Sequence, residues 1–190
     1  MPGRKIIITG VPGVGKTTVI NESILRLKEE GIDYQSISFG SFMFEMAVSK
    51  GLVKDRDEMR KLSRDDQKHL QQLAAAAIGK INGDVIIDTH ASVKTPKGYL
   101  AGLPEWVLRE LKPDVFVIVE TDEDQILIRR LSDITRVRDV DGFRALSEHQ
   151  EFNRAIAASY AMVTGCTVKI IQNPDHLLER AVTDMVNLLR

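Results

Sequence analysis

Cysteine is almost absent from this chain, with Cys166 the single one in 190 residues. That excludes an intrachain disulfide and a cysteine-rich metal centre. Set between Thr164-Gly165 and the apolar run 168–171, Cys166 reads as a small core residue at a strand entrance, where burial raises a thiol pKa and keeps it unreactive. Aromatic residues make up 5%, too few for a stacking surface along single-stranded nucleic acid. Neither sign of charge dominates, with Lys+Arg at 26 and Asp+Glu at 27, which argues against a broad nucleic-acid footprint. No apolar run approaches the ~20 residues of a membrane span. The four histidines, His69, His90, His149 and His176, show neither His-x-His nor His-Glu-x-x-His spacing. The first strand candidate follows closely on Met1 and leaves no room for a secretory signal, so a cytoplasmic location is expected.

What is present begins at Gly10. Gly10, Val11, Pro12, Gly13, Val14, Gly15, Lys16 and Thr17 fill the pattern of a glycine-rich loop that cradles polyphosphate. Its context agrees. The stretch Lys5-Ile6-Ile7-Ile8-Thr9 ahead of it is short, β-branched and suited to a buried parallel strand. From Thr18 onward apolar residues recur at helical spacing until Gly31 stops the helix. In that arrangement backbone N–H groups of residues 10–18 face the phosphates, Lys16 reaches the β and γ oxygens, and the Thr17 hydroxyl ligates Mg²⁺.

Four further strand candidates, 34–39, 84–88, 114–119 and 167–171, alternate with helical stretches. Together with the first they predict an α/β fold of three layers, a five-stranded parallel sheet flanked by helices. A length of 190 residues suits a single domain. Two insertions interrupt the alternation. The first, about 40–82, carries a helix from about residue 41 to 50, a charged turn Lys54-Asp-Arg-Asp57, and a longer helix capped by Ser63 or Asp65. A crossover of this length suggests a substrate-binding subdomain. The second, about 132–147, is polar, contains glycine and fits a mobile lid.

Asp88 closes the run Val85-Ile-Ile-Asp at the carboxyl end of a strand expected to neighbour the first. There it is placed to hold Mg²⁺, directly or through water; an Asp capping the next turn is the plain alternative. Arg129, Arg130, Arg136, Arg138 and Arg154 form a cluster whose basic members are all arginine. The rigid guanidinium fork binds phosphate oxygens in pairs, so most of these are expected on nucleotide phosphates. Arg56 and Arg60 in the first insertion, with Lys94 and Lys97 after Asp88, are candidates around a phosphoryl acceptor. A surface helix pair between Asp57 and Arg60 is the competing reading. His90 is expected to be a hydrogen-bonded structural residue, since transfer to a phosphate acceptor needs no strong base.

At this point the chain resembles the archaeal-type adenylate kinases along nearly its whole length. The resemblance rests on the segments 11–18, Phe39-Gly-Ser-Phe-Met-Phe-Glu45, Lys54-Asp-Arg-Asp-Glu-Met-Arg-Lys-Leu62, Asp88-Thr-His90, Thr95-Pro-Lys-Gly-Tyr-Leu-Ala-Gly-Leu-Pro104 and Thr135-Arg-Val-Arg138. It implies a nucleoside-monophosphate kinase fold and Mg²⁺-dependent transfer, ATP plus AMP giving two ADP. It further implies AMP binding by the first insertion, with Ser41, Arg56, Arg60, Lys94 and Arg154 as the contacts, and a lid in the second. Lys16, Arg136 and Arg138 are then the catalytic residues, and a homo-oligomer, specifically a trimer, is implied. Ala101 stands where the family pattern has proline, in what reads as a loop, and the short lid lacks a zinc cysteine set.

Other readings remain open. One is a kinase for another nucleoside monophosphate or a small alcohol. A nucleotide-dependent switch would use Asp139-Val-Asp-Gly142, which matches Asp-x-x-Gly but follows no expected strand; Asn173-Pro-Asp-His176 fails the guanine signature Asn-Lys-x-Asp. An RNA-binding ATPase is disfavoured by near-neutral charge and few aromatics, so no membrane and no nucleic acid as main substrate are expected.

Overall fold

The computed structural model describes residues 3–59, 61–132 and 142–190. In chain order the elements begin β1 (Lys5–Thr9), α1 (Lys16–Glu29), β2 (Tyr34–Ser38), α2 (Phe39–Ser49), α3 (Arg56–Met59), α4 (Arg64–Gly79) and β3 (Asp84–Asp88). They continue with β4 (Ser92–Thr95), β5 (Gly98–Ala101), α5 (Glu105–Leu111), β6 (Val115–Glu120), α6 (Glu123–Ser132), α7 (Phe143–Thr164), β7 (Thr167–Gln172) and α8 (Leu178–Leu189). The main sheet has the order β2-β3-β1-β6-β7, and every pairing in it is parallel.

The three layers follow from the side-chain alternation of a strand. In β1, Ile6 and Ile8 enter a cluster with Val19, Ile20 and Leu27 of α1 and Met185 and Val186 of α8. Ile7 points to the other face and joins Ile78 of α4, Leu108 of α5, Phe116 of β6 and Ala157 of α7. A strand covered on both faces has no position for a polar side chain, which is why β1, β3 and β6 read as nearly unbroken apolar runs. Each large aliphatic side chain buried this way contributes about 1.5–3 kcal/mol. The first insertion has a small cluster of its own, Ala47, Val53 and Leu70, packed by Met43, Phe44, Met59 and Leu62.

Several boundaries differ from expectation. Phe39 begins α2 instead of ending β2, because the Ser38 hydroxyl accepts from the Ser41 N–H and turns the chain into a helix. The cap of α4 is Ser63, whose Oγ accepts from the Asp66 N–H at 3.1 Å. The charged turn runs directly into the short helix α3. Asp114 precedes β6, its carboxylate accepting from the Lys5 N–H, and both β6 and β7 run one residue further than expected. Phe143 to Ser147, expected in the lid, form the first turns of α7. The remainder of the expected lid, 133–141, with Arg136, Arg138 and most of the Asp139–Gly142 motif, lies outside the described residues, as does Arg60.

The antiparallel hairpin β4–β5 had no signal as a strand pair. Ala101, expected in a loop, is the end of β5 and pairs with Ser92. The base of the hairpin is stapled: the Gly102 N–H donates to Ala91 O, and a Cβ on Gly102 would collide with the His90 carbonyl. Tyr160 of α7 donates its hydroxyl to Ala91 O at 2.7 Å and accepts from the Leu103 N–H at 3.2 Å.

At the opposite end of the sheet, Arg4 joins three elements. Its guanidinium donates to Leu188 O, Leu189 O and the Tyr34 hydroxyl at 3.0–3.1 Å, while that hydroxyl donates to Leu189 O at 2.9 Å. A cation here satisfies the last carbonyls of α8 and opposes its negative dipole end. Arg4→Ala is expected to lower unfolding free energy by about 1–3 kcal/mol, the range for hydrogen bonds to a charged donor. Urea unfolding followed by circular dichroism measures this, and an unchanged midpoint would remove Arg4 from the fold's supports.

Candidate active site

The glycine-rich loop leaves β1 against β6. A Cβ at Gly10 would sit 2.6 Å from Val119 O, so the loop passes its neighbour at a distance that admits no side chain. Gly13 and Gly15 hold φ of 104° and 82°, where other residues are strained. Gly15 is the N-cap of α1 and no side chain caps that helix. The N–H groups of its first turn, Lys16, Thr17 and Thr18, therefore have no acceptor within the helix, which with the dipole makes an anion site. Val11 and Val14 are buried in the core, so these two expected contacts are restricted to their backbone. Pro12 has no N–H to offer; its carbonyl accepts from Arg130 Nε at 2.8 Å.

The loop carbonyls are held from behind. Asn173, just beyond β7, donates its Nδ2 to Val14 O at 2.7 Å and its own N–H to Glu120 O at 2.8 Å. Arg129 of α6 reaches Val14 O at 3.1 Å and Asn173 O at 3.0 Å, and pairs with Asp175 at 2.6 Å. Arg129 and Arg130 were expected on nucleotide phosphates; both brace loop carbonyls, and Arg129 also lines the cavity. Arg154 is not brought to the cavity. It makes two hydrogen bonds to Glu120, a carboxylate buried at the end of β6 that has to be paired.

Lys16 Nζ forms a short ion pair with Asp88 and donates to Thr89 O at 3.1 Å. The parallel register makes this contact: β3 lies beside β1 with Asp88 opposite Ile8, so its carboxylate emerges at the mouth of the loop. The Thr17 hydroxyl is exposed at the same mouth. Among the described residues no cluster of three or more His, Cys, Asp or Glu could hold a metal ion. Two oxygen donors beside a phosphate cradle fit a cation that arrives already bound to a polyphosphate, as Mg²⁺ does, and do not fit a resident metal.

A cavity of about 1070 Å³ extends from the loop to the first insertion. Its far wall is built by Ser41 and Met43 of α2, Arg56 of α3, Gln71 of α4, and His90 and Val93 near the hairpin. Arg56 donates to Ser41 Oγ at 2.7 Å and lies 5.4 Å over the Phe44 ring, which sets the guanidinium at the cavity edge. Lys94 lies on β4 and does not line the cavity, although its neighbour Val93 does. His90 departs from expectation. Its imidazole makes no hydrogen bond among the described residues, and its pKa is lowered by desolvation and then by the nearby Lys16 charge, which favours the uncharged ring. Asn173 and Gln71 were missed as site residues, because an amide on a late loop or a helix face carries no motif. Among the described residues, no helix is long and apolar enough to cross a membrane.

Asn173→Ala is expected to weaken nucleoside triphosphate binding about tenfold through loss of a buried hydrogen bond to the loop. Isothermal titration measures it, and unchanged affinity would show that the brace is dispensable.

A family model described as an AAA domain matches residues 9–147. The adenylate kinase of Methanoculleus marisnigri is 60% identical over the whole of both chains. That of Methanocaldococcus jannaschii is 49% identical over the whole of both, and that of Thermoplasma acidophilum 51% over 96% of this chain and 97% of its own. Among solved structures, a shikimate kinase from Bacteroides thetaiotaomicron covers 98% of each chain with a TM-score of 0.61 at 15% identity, a likeness of fold. With a phosphate loop, a strand-end carboxylate and full-length relatives of one kind, this chain belongs to the archaeal adenylate kinases.

Proposed function

We propose that the chain reversibly transfers the terminal phosphoryl group of ATP to AMP, giving two ADP, with ATP entering as its Mg²⁺ complex. The observation that carries this reading is one continuous cavity with two different ends. A backbone anion cradle forms one end, and the first insertion contributes Ser41, Arg56 and Gln71 to the other. The separate apolar cluster of the insertion supports its treatment as an acceptor-binding unit, about 40–82, within one kinase domain of residues 1–190.

In this reading residues 10–18 bind the triphosphate of ATP, through backbone N–H groups wherever the residue has one to offer. Phosphate oxygens compete with Asp88 for the Lys16 ammonium, which then follows the charge on the moving group. Thr17 and Asp88, directly or through water, would hold Mg²⁺, which neutralises phosphate charge when bound. Arg136 and Arg138, in the segment expected to act as a lid between α6 and α7, complete the charge clamp. Arg56 with Ser41, joined by Arg60, holds the phosphate of AMP; Lys94, which does not line the cavity, is not assigned to it. That acceptor is already an anion, so His90 is not required as a base. Arg154 has no part in this assignment, since Glu120 occupies its guanidinium.

The family resemblance also supports a trimer in the cytoplasm. The edge strand β7 leaves Val168 and Ile170 each 38% exposed, and Met162 of α7 is 88% exposed, apolar surface that a neighbouring copy would cover. Sedimentation equilibrium at three times the protomer mass is the expected result, and a stable monomer would refute the assembly.

Lys16→Ala is expected to reduce kcat by ~10²–10³ or more, the scale of a lost preorganised charge contact, with far-ultraviolet circular dichroism unchanged. Near-full activity in that variant would overturn the mechanism. A coupled assay offering AMP, GMP, CMP and UMP tests the acceptor; preferred turnover of any nucleotide other than AMP would overturn the choice.

A further inference from the structure

In a parallel ladder the N–H groups of alternate residues on one strand reach the carbonyls of alternate residues on its neighbour. Between β3 and β1, Val85 N–H donates to Arg4 O at 2.9 Å and Thr89 N–H to Ile8 O at 3.1 Å. The next donor in that series is Ala91 N–H, and its ladder partner would be Gly10 O. Gly10 is no longer strand, because the chain turns there into the phosphate loop. The Thr9 hydroxyl takes the place of that carbonyl and accepts from Ala91 N–H at 2.7 Å. Thr9 is fully buried and Ala91 nearly so, so loss of the hydroxyl would strand an amide N–H away from water. A side-chain acceptor lets the loop turn away from β3 while the exit of β3 stays in register.

The same residue is held from two other sides. Its carbonyl accepts from the Tyr160 hydroxyl at 2.7 Å and from the Gly102 N–H at 2.8 Å. One position further on, the Ser92 hydroxyl donates to Asn153 Oδ1 of α7 at 2.6 Å and lies 3.1 Å from His149 Nε2. Segment 89–92 is thus tied to β1, to α7 and to the base of the hairpin. Within it, Thr89 O accepts from Lys16 Nζ, next to Asp88, the ion-pair partner of the same ammonium. Where this segment is held therefore decides where the lysine is held. We propose that the Thr9 hydroxyl, with Tyr160 as a second anchor, positions residues 88–91 against the phosphate loop and so sets the rate of transfer. Neither residue lines the cavity, and both are positioning residues that act through Lys16. The inference rests on the assignment of Lys16 to the transferring phosphoryl group.

The test measures steady-state kcat and both KM values for Thr9→Val, Thr9→Ser and Tyr160→Phe, each well below its own melting midpoint. Thr9→Val and Tyr160→Phe are also made in the Lys16→Ala background. Thr9→Val keeps the shape and removes the acceptor. Its kcat should fall about tenfold, the scale of one lost buried hydrogen bond, with KM for ATP and for AMP within about twofold. Thr9→Ser restores the acceptor and should return kcat to within about threefold of wild type. Tyr160→Phe should cost about threefold, since the Gly102 N–H still donates to the same carbonyl. In Lys16→Ala, Thr9→Val should change kcat by less than about twofold, because the group it positions is gone.

A purely structural hydroxyl would lower the melting midpoint and leave kcat of the folded enzyme unchanged, so wild-type kcat in Thr9→Val overturns the inference. An equal loss in the Lys16→Ala background also overturns it, by placing the effect elsewhere, as does a Thr9→Ser no faster than Thr9→Val. Should Thr9→Val fail to fold, Tyr160→Phe is read in the same two backgrounds. A loss confined to the enzyme that has Lys16 supports the inference, and no loss, or the same loss in both, overturns it. Lys16→Ala alone separates the two levels. Near-full activity in it removes the assigned mechanism, whereas a slow Lys16→Ala beside an unaffected Thr9→Val removes this inference only.

Discussion

The structure turns on a requirement of the glycine-rich loop: its backbone has to present N–H groups to an anion while its carbonyls find partners on the other side. A tight turn cannot satisfy those carbonyls alone. Val14 O is reached by the Asn173 amide and the Arg129 guanidinium, and Pro12 O by Arg130. The strong donors of α6 and of the segment after β7 are therefore directed at the loop's back. This preorganises the cradle, so that binding phosphate does not first have to order it. It also explains why two arginines that read as phosphate ligands brace the loop, Arg129 while lining the cavity as well.

The second element of the site is a consequence of sheet order. Placing β3 beside β1 brings Asp88 within reach of Lys16, although the two are separated by more than seventy positions in the chain. That ion pair holds the lysine over the loop. Lys16 is mostly shielded and Asp88 about a quarter exposed, so the contact is neither a fully solvated surface pair nor a sealed one. Incoming phosphate oxygens then exchange one anionic partner of the lysine for another, which avoids desolvating a free ammonium.

Charge elsewhere follows the same rule of pairing before function. Glu120 is buried at the end of β6, and Arg154 is the cation that makes that burial tolerable. Ser41 and Arg56 hold each other across the first insertion, leaving other guanidinium N–H groups at the cavity. Polar side chains here are oriented by neighbours outside the cavity, and the Trp106–Gln71 contact is the same arrangement with a neutral donor.

By itself the sequence determined the strands, the phosphate loop and the strand-end Asp88, because each depends on residues adjacent in the chain. Unbroken β-branched runs have no other stable use than a covered sheet, and Gly13 and Gly15 are required by backbone angles that other residues rarely adopt. The boundaries of β2 and α2 depended on one hydroxyl cap and were displaced by one or two residues. The hairpin β4–β5 was invisible because its strands are four residues each and its stability comes from Tyr160 and a close backbone approach at Gly102. Only the tertiary structure decided which arginines face the cavity and which face protein, since a guanidinium has the same composition in either role. It alone placed Asn173 and Gln71, whose meaning lies in the partners that distant segments supply.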